Sequence, residues 1–170
     1  MFHDYVIDLT DDENSLVKFV QTAKNTSGGD TDEFYELVLQ KIRLETSWRE
    51  GSNKSILLIA DETPHHVGYT YSSIVKYARV DWIQEAKELS VLGIKVDTLA
   101  CTGAQWYKEL SEITKGIYLL FSSADKTSQL LEGYAYARSG STESFSTATA
   151  YITSTEDAEL IGVYKQLGTL

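Results

Sequence analysis

Ser55-Ile56-Leu57-Leu58-Ile59-Ala60 decides how this chain is to be read. The run is uncharged, rich in β-branched and small apolar side chains, preceded by the turn pair Ser52-Asn53 and closed by Asp61. A run of strand length that is apolar at successive positions, with no alternation, fits a central strand buried on both faces of a parallel sheet. Outward from it, Val80, Ile83, Ala86 and Leu89 recur at helical spacing and Gly93 is placed to end that helix. Ile94 to Ala100 then reads as the next strand, Trp106, Leu110 and Ile113 as a helix ending at Gly116, Ile117 to Phe121 as a strand, and Leu130, Leu131 and Tyr134 as a further helix. Strands alternating with helices of this length predict an α/β fold: an open, mainly parallel twisted sheet with helices on both faces.

Upstream, Tyr5 to Leu9 reads as a strand end running into the helix cap Thr10-Asp11-Asp12. Leu16, Phe19, Val20 and Ala23 mark the helix that follows, with Ser27-Gly28-Gly29 as its stop. Asp30-Thr31-Asp32 is read as the cap of a second helix with Phe34, Leu37, Val38 and Ile42 on its apolar positions. Downstream, Ser139 to Thr155 turns to serine, threonine and alanine, a composition that fits either a flexible arm or an added edge strand, and a short helix from about Glu156 to Gln166 closes the chain. The division expected is an α/β domain over 1–140 and an extension over 141–170.

A length of 170 residues suits one domain, and 42% apolar with 24% charged residues is an ordinary folding composition. The formal charge of −10, with lysines scattered through helices, opposes polyphosphate partners and argues against nucleic-acid binding. No run approaches the ~18 apolar residues of a membrane span. The polar start Met1-Phe2-His3-Asp4 does not read as a signal peptide, which points to an intracellular protein or part of a larger assembly. Cys101 is the single cysteine, so the chain holds no internal disulfide and no cysteine-based zinc cluster, and its place at the end of an apolar run suggests a small buried hydrophobe.

In open parallel sheets, ligands bind beyond the carboxyl ends of the strands. Two loops there are rich in oxygen ligands: Ser27-Gly28-Gly29-Asp30-Thr31-Asp32-Glu33, and Ala60-Asp61-Glu62-Thr63-Pro64-His65-His66. Hydroxyl and carboxylate oxygens suit a hard cation such as Mg²⁺ or Mn²⁺. The competing reading makes Asp30 and Thr31 a helix cap and Asp61 a strand end. The vicinal pair His65-His66 is a poor zinc site because adjacent side chains diverge, so His65 is expected to pack within its loop. A Mg²⁺-dependent hydrolase using Asp8 or Asp61 is the weakest reading, since no phosphate-binding Gly-rich loop, Gly-x-Gly-x-x-Gly or Gly-x-Ser-x-Gly is present.

Gly28-Gly29-Asp30-Thr31-Asp32-Glu33 before a helix, followed by Leu57-Leu58-Ile59-Ala60-Asp61-Glu62-Thr63-Pro64-His65, resembles the second and third loops of the metal-ion-dependent adhesion site of von Willebrand factor type A (vWA) domains. The resemblance covers about Asp4 to Gly140. It implies a vWA/Rossmann-like sheet, a Mg²⁺ or Mn²⁺ site with Thr31 as direct ligand, Asp30 beside it and Asp61 as the third-loop carboxylate, and a protein-binding role rather than an enzymatic one. The family's opening strand with Asp-x-Ser-x-Ser has no counterpart here; the nearest approach is Asp8-Leu9-Thr10-Asp11-Asp12. Aligned on the family's third strand at Tyr5 to Asp12, the chain lacks the first strand, first helix and second strand. Three alternatives follow: another chain completes the sheet, the sequence is part of a longer protein, or the sheet is rebuilt with the Tyr5 strand beside the Ile56 strand. The partners implied are proteins, including further copies of this chain; the alternative function is a metal-free assembly subunit that uses the sheet edge and the tail.

Overall fold

The computed structural model describes residues 6–23, 31–69, 79–120 and 126–168. Among them are seven helices, α1 (Glu13–Thr22), α2 (Tyr35–Glu45), α3 (Trp82–Val91), α4 (Gln105–Thr114), α5 (Thr127–Ser139), α6 (Thr142–Ser154) and α7 (Ala158–Leu167), and three strands, β1 (Lys54–Ala60), β2 (Ile94–Ala100) and β3 (Tyr118–Leu120). The strands form an open parallel sheet in the order β1-β2-β3, so the architecture is α/β. The chain divides into two compact units, Met1–Lys54 with Glu62–Gly93, and Ser55–Asp61 with Ile94–Leu170.

In the first unit, Asp12 caps α1 through its carboxylate, which accepts from the amides of Asn14 and Ser15 at 3.1 and 3.4 Å. No residue of α1 is buried, and Leu16, Val17 and Val20 face solvent. The segment Val6–Leu9 is not a strand, so the Tyr5 strand expected from the sequence does not extend over its described residues and is not paired beside Ile56. Instead the Asp8 carboxylate accepts from the Ser47 amide at 3.0 Å, pinning this segment near the end of α2. That contact with Ser47, more than the one with its neighbour Leu9, holds the Asp8 carboxyl below its ordinary pKa.

Helices α2 and α3 pack together, with Leu37, Leu39, Ala86 and Leu89 buried. The inward stripe of α2 differs from the one its apolar residues suggest. Glu36, Leu39, Gln40 and Arg43, at the i, i+3, i+4, i+7 spacing of one helix face, are buried or half-buried, whereas Val38 is exposed. The polar members are accommodated because Glu85 on α3 takes two hydrogen bonds from Arg43, at 2.7 and 3.2 Å, and one from Gln40 at 3.0 Å. A bidentate guanidinium–carboxylate pair of this kind fixes the helix register as well as adding energy.

In the second unit β2 is the buried middle strand, whereas β1, the run read as central, lies at an edge of the described sheet and leaves Ile59 48% exposed. Alternation along β2 separates two layers. On one face Val96 and Thr98 meet α4: the Val96 amide donates to Thr114 Oγ1 at 3.0 Å, and the Thr98 and Ser111 hydroxyls meet at 2.9 Å. On the other, Leu99 joins Leu119, Leu130 and Leu167 in a cluster that gathers β2, β3, α5 and α7. Helices thus cover both faces of this sheet, as the alternation of elements requires. Gln166 on α7 donates to the Tyr118 carbonyl at 3.2 Å, satisfying one acceptor of β3.

Residues 141–168 are neither arm nor edge strand. They form α6 and α7, whose Ile152, Leu160 and Tyr164 make a second cluster and whose Leu167 enters the first. Threonine and serine sit comfortably in α6 because Thr147, Thr149 and Thr153 donate back to carbonyls four residues earlier. Lys126 then bridges Asp157 and Glu159 at 2.9 and 2.7 Å at the start of α7.

Two glycines have steric roles the sequence did not specify. The left-handed residue after α4 is Lys115, with φ of 59°, not Gly116. Gly116 is needed for close approach: a Cβ there would lie 2.0 Å from the Val96 carbonyl oxygen. We expect Gly116→Ala to destabilise the protein by roughly 1–3 kcal/mol, the range for overpacking, because the obstacle is strand backbone that cannot swing aside. A urea midpoint equal to that of the wild type would refute this. At Gly133 the ring of Tyr164 occupies the space a Cβ would fill, 2.4 Å from it, which lets α7 press onto α5.

Candidate functional site

The two loops singled out by their sequence are joined to each other on the first-unit side. The Glu33 amide donates to the Thr63 carbonyl at 2.8 Å, Glu33 and Pro64 form an isolated parallel bridge, and the Thr63 hydroxyl donates to Asp32 Oδ1 at 2.7 Å. Asp32 therefore does not cap α2, whose first residue is preceded by Phe34 without any side-chain cap. It staples one loop to the other.

Beneath the staple lies an aromatic box. His65 is 3% exposed and stacks on Phe34 with ring centroids 4.4 Å apart and planes 23° from parallel; Tyr69, also buried, lies 4.4 Å from His65 on a tilted plane. The expectation that His65 packs within its loop holds, and its neighbour His66 points to solvent. Glu36, from the first turn of α2, is 0% exposed beside this box, with Oε1 3.8 Å from His65 Nδ1. Neither of its carboxyl oxygens has a hydrogen bond. Desolvation raises its pKa from 4.5 to about 7, an effect to which the nearby Asp32 charge adds and which the backbone amides of Glu36 and His65 and the His65 charge offset in part. A strongly shifted group in a specific cluster is a mark of functional sites.

The residues with a metal-binding expectation are placed as follows. Thr31 is exposed in the first loop, in the first unit; Asp61 is exposed just after β1, in the second; Asp30, like Gly28 and Gly29, lies outside the described residues. Among the described residues no group of three or more histidine, cysteine, aspartate or glutamate side chains is placed to hold a metal ion. Asp32, one of the two described carboxylates of that loop, is engaged by Thr63. Cys101 is exposed rather than buried, its amide donating to the Ala60 carbonyl at 2.8 Å. Desolvation, with the Asp61 charge beside it, pushes its thiol pKa up.

Sequence reasoning passed over Glu36, Phe34 and Tyr69 as a set. The available signal was a glutamate on the inward side of an amphipathic helix, directly preceding Leu37, which calls for a partner or a proton. The second unit carries a concavity of its own, a groove of about 510 Å³ flanked by Glu132 and Tyr136 of α5 and by Glu143 and Tyr151 of α6. None of the residues expected to bind metal lines it.

No protein-family model matches the chain, and no curated protein matches it significantly. The likeness to vWA domains therefore rests on the motif residues themselves.

Proposed function

We propose that the chain is a protein-binding module of vWA-like design, in which the stapled loops present His66, Val67 and Gly68 to a partner. The observation that carries this reading is the double fastening of the loops, by the Glu33–Thr63–Pro64 backbone bridge and the Asp32–Thr63 hydrogen bond, over the Phe34–His65–Tyr69 box. A surface loop held by a closed aromatic support keeps its shape, and recognition residues are disproportionately found on loops positioned by a rigid scaffold. Val67 supplies an exposed apolar contact, 54% accessible, beside the exposed imidazole of His66. The role of a cation is separate: the vWA resemblance names Thr31 as a direct ligand, and binding through His66 and Val67 does not require a cation.

A photo-crosslinking amino acid at position 67 tests the reading, with position 91, an 83% exposed valine on α3, as control. In cells that make the protein, a discrete adduct is expected at 67 and none at 91; an adduct at twice the chain mass identifies a second copy as the partner. Equal labelling at both positions, or none at 67, rejects the proposal. Adducts that require Mg²⁺ and vanish with Thr31→Ala would add the cation to the mechanism.

A further inference from the structure

We propose that Glu36 is a proton-operated latch on the 63–69 loop: as a neutral acid it sits against the Phe34–His65–Tyr69 box, and on releasing its proton to solvent it loosens the box and frees the loop that carries Val67. The proposal rests on reading that loop as the contact surface. Its physical basis is geometric. A carboxyl group that is 0% exposed, with neither oxygen in a well-formed hydrogen bond, is tolerable when neutral and costly when charged. The backbone amides of Glu36 and His65 offset only part of the cost of the charge. On the facing loop stand the imidazole of His65, with Nδ1 at 3.8 Å, and the phenol of Tyr69; on the preceding loop Asp32 adds repulsion. On α3, which packs against α2, Glu85 is occupied by Arg43 and Gln40. The raised pKa of about 7 places the transition at neutral pH, where a modest change of proton concentration switches the group.

The loosening falls on the atoms that hold the loop. The Glu33 amide donates to the Thr63 carbonyl and the Tyr69 amide to the His66 carbonyl at 3.2 Å, so both report opening by hydrogen exchange. The reference is the Thr98 amide of the second unit, which donates to the Ile117 carbonyl at 2.8 Å.

NMR-detected exchange of the purified chain at pH 6 and pH 8, corrected for the intrinsic pH dependence of exchange, tests the latch. Protection of the Glu33 and Tyr69 amides is expected to fall at least ~tenfold in the wild type and less than ~twofold in Glu36→Gln, with Thr98 unchanged in both, since a shift of one pKa unit is a tenfold change in the protonation equilibrium. No fall in the wild type, or the same fall in Glu36→Gln, overturns the proposal. Should Glu36→Gln fail to fold, the wild-type Glu36 carboxyl ¹³C titration serves instead: its midpoint must coincide with the loss of protection, and a midpoint elsewhere overturns the latch. Failure of the contact-surface reading looks different, as absence of crosslinks at position 67 at pH 6 with the exchange behaviour intact.

Discussion

Asp97→Ala is expected to destabilise the protein by roughly 3–5 kcal/mol, the cost of removing one member of a buried ion pair. Asp97 sits at the middle of β2 and is 0% exposed. Arg138 grips both of its oxygens, Nε reaching Oδ2 at 2.8 Å and a terminal nitrogen reaching Oδ1. The same carboxylate accepts from Ser55 at 2.9 Å, from Tyr134 at 2.8 Å and from the Ile117 amide at 2.8 Å. One side chain thereby ties together β1, β2, α5 and the residue before β3. Its removal strands a guanidinium whose side chain is 13% exposed and orphans the Ile117 N–H. Arg138→Ala is expected to cost a similar amount, for the converse reason that the buried carboxyl group of Asp97 loses its partner. Tyr134→Phe, which leaves the ion pair intact, costs about 1 kcal/mol, the net worth of an ordinary hydrogen bond. Urea unfolding of the three variants checks the order, and a loss below ~1 kcal/mol for Asp97→Ala would show that the network is not holding the unit together.

The second large effect is in the pH dependence of stability. Glu36 has a folded-state pKa of about 7 against 4.5 for the exposed side chain. Between these values the native protein holds a proton that the unfolded chain has released, so stability is highest below the unfolded value, declines as pH rises from about 4.5 to about 7, and is level above. At 1.36 kcal/mol per pKa unit the decline amounts to about 3 kcal/mol. The exposed carboxyls Asp8 and Asp12 and the half-buried Asp157 have pKa values lowered by hydrogen bonding, chiefly from Ser47, Ser15 and Lys126 respectively. They act with the opposite sign and at lower pH, so they do not mask this window. Glu36→Gln should flatten the profile between pH 4.5 and 7. It should recover less than the full ~3 kcal/mol at pH 8, because a buried amide without a hydrogen bond carries its own penalty of about 1–3 kcal/mol. Chemical denaturation at several pH values measures it, and an equal slope in wild type and variant would place the titration elsewhere.

Much of the fold was legible because it is written in local periodicity. The strand Ile94–Ala100 was readable to the residue, and α3, α4, α5 and α7 were readable to within a few, since apolar spacing and a helix-ending Gly93 act over one or two turns. Where the reading failed, the cause was a partner distant in sequence. Val6–Leu9 has strand-like alternation but is drawn by Asp8 to Ser47, 39 residues away. Ser139–Thr155 lacks a strong helical stripe, yet it becomes helix because Phe145, Ala148 and Ile152 find Leu160 and Tyr164.

The candidate site divides in the same way. Sequence alone picked out both loops and the packing of His65, because turn residues, strand ends and a histidine pair are visible without a fold. It also set the acidic surface and the α/β alternation. Only the tertiary structure showed that Asp32 staples rather than caps, that Glu36 is closed in beside an aromatic box, and that Asp97 in an apolar strand is matched by Arg138 forty-one residues later. The physical reason is that a buried charge is decided by its surroundings. Desolvation and pairing depend on which distant side chains arrive within a few ångströms, and no local pattern encodes that distance.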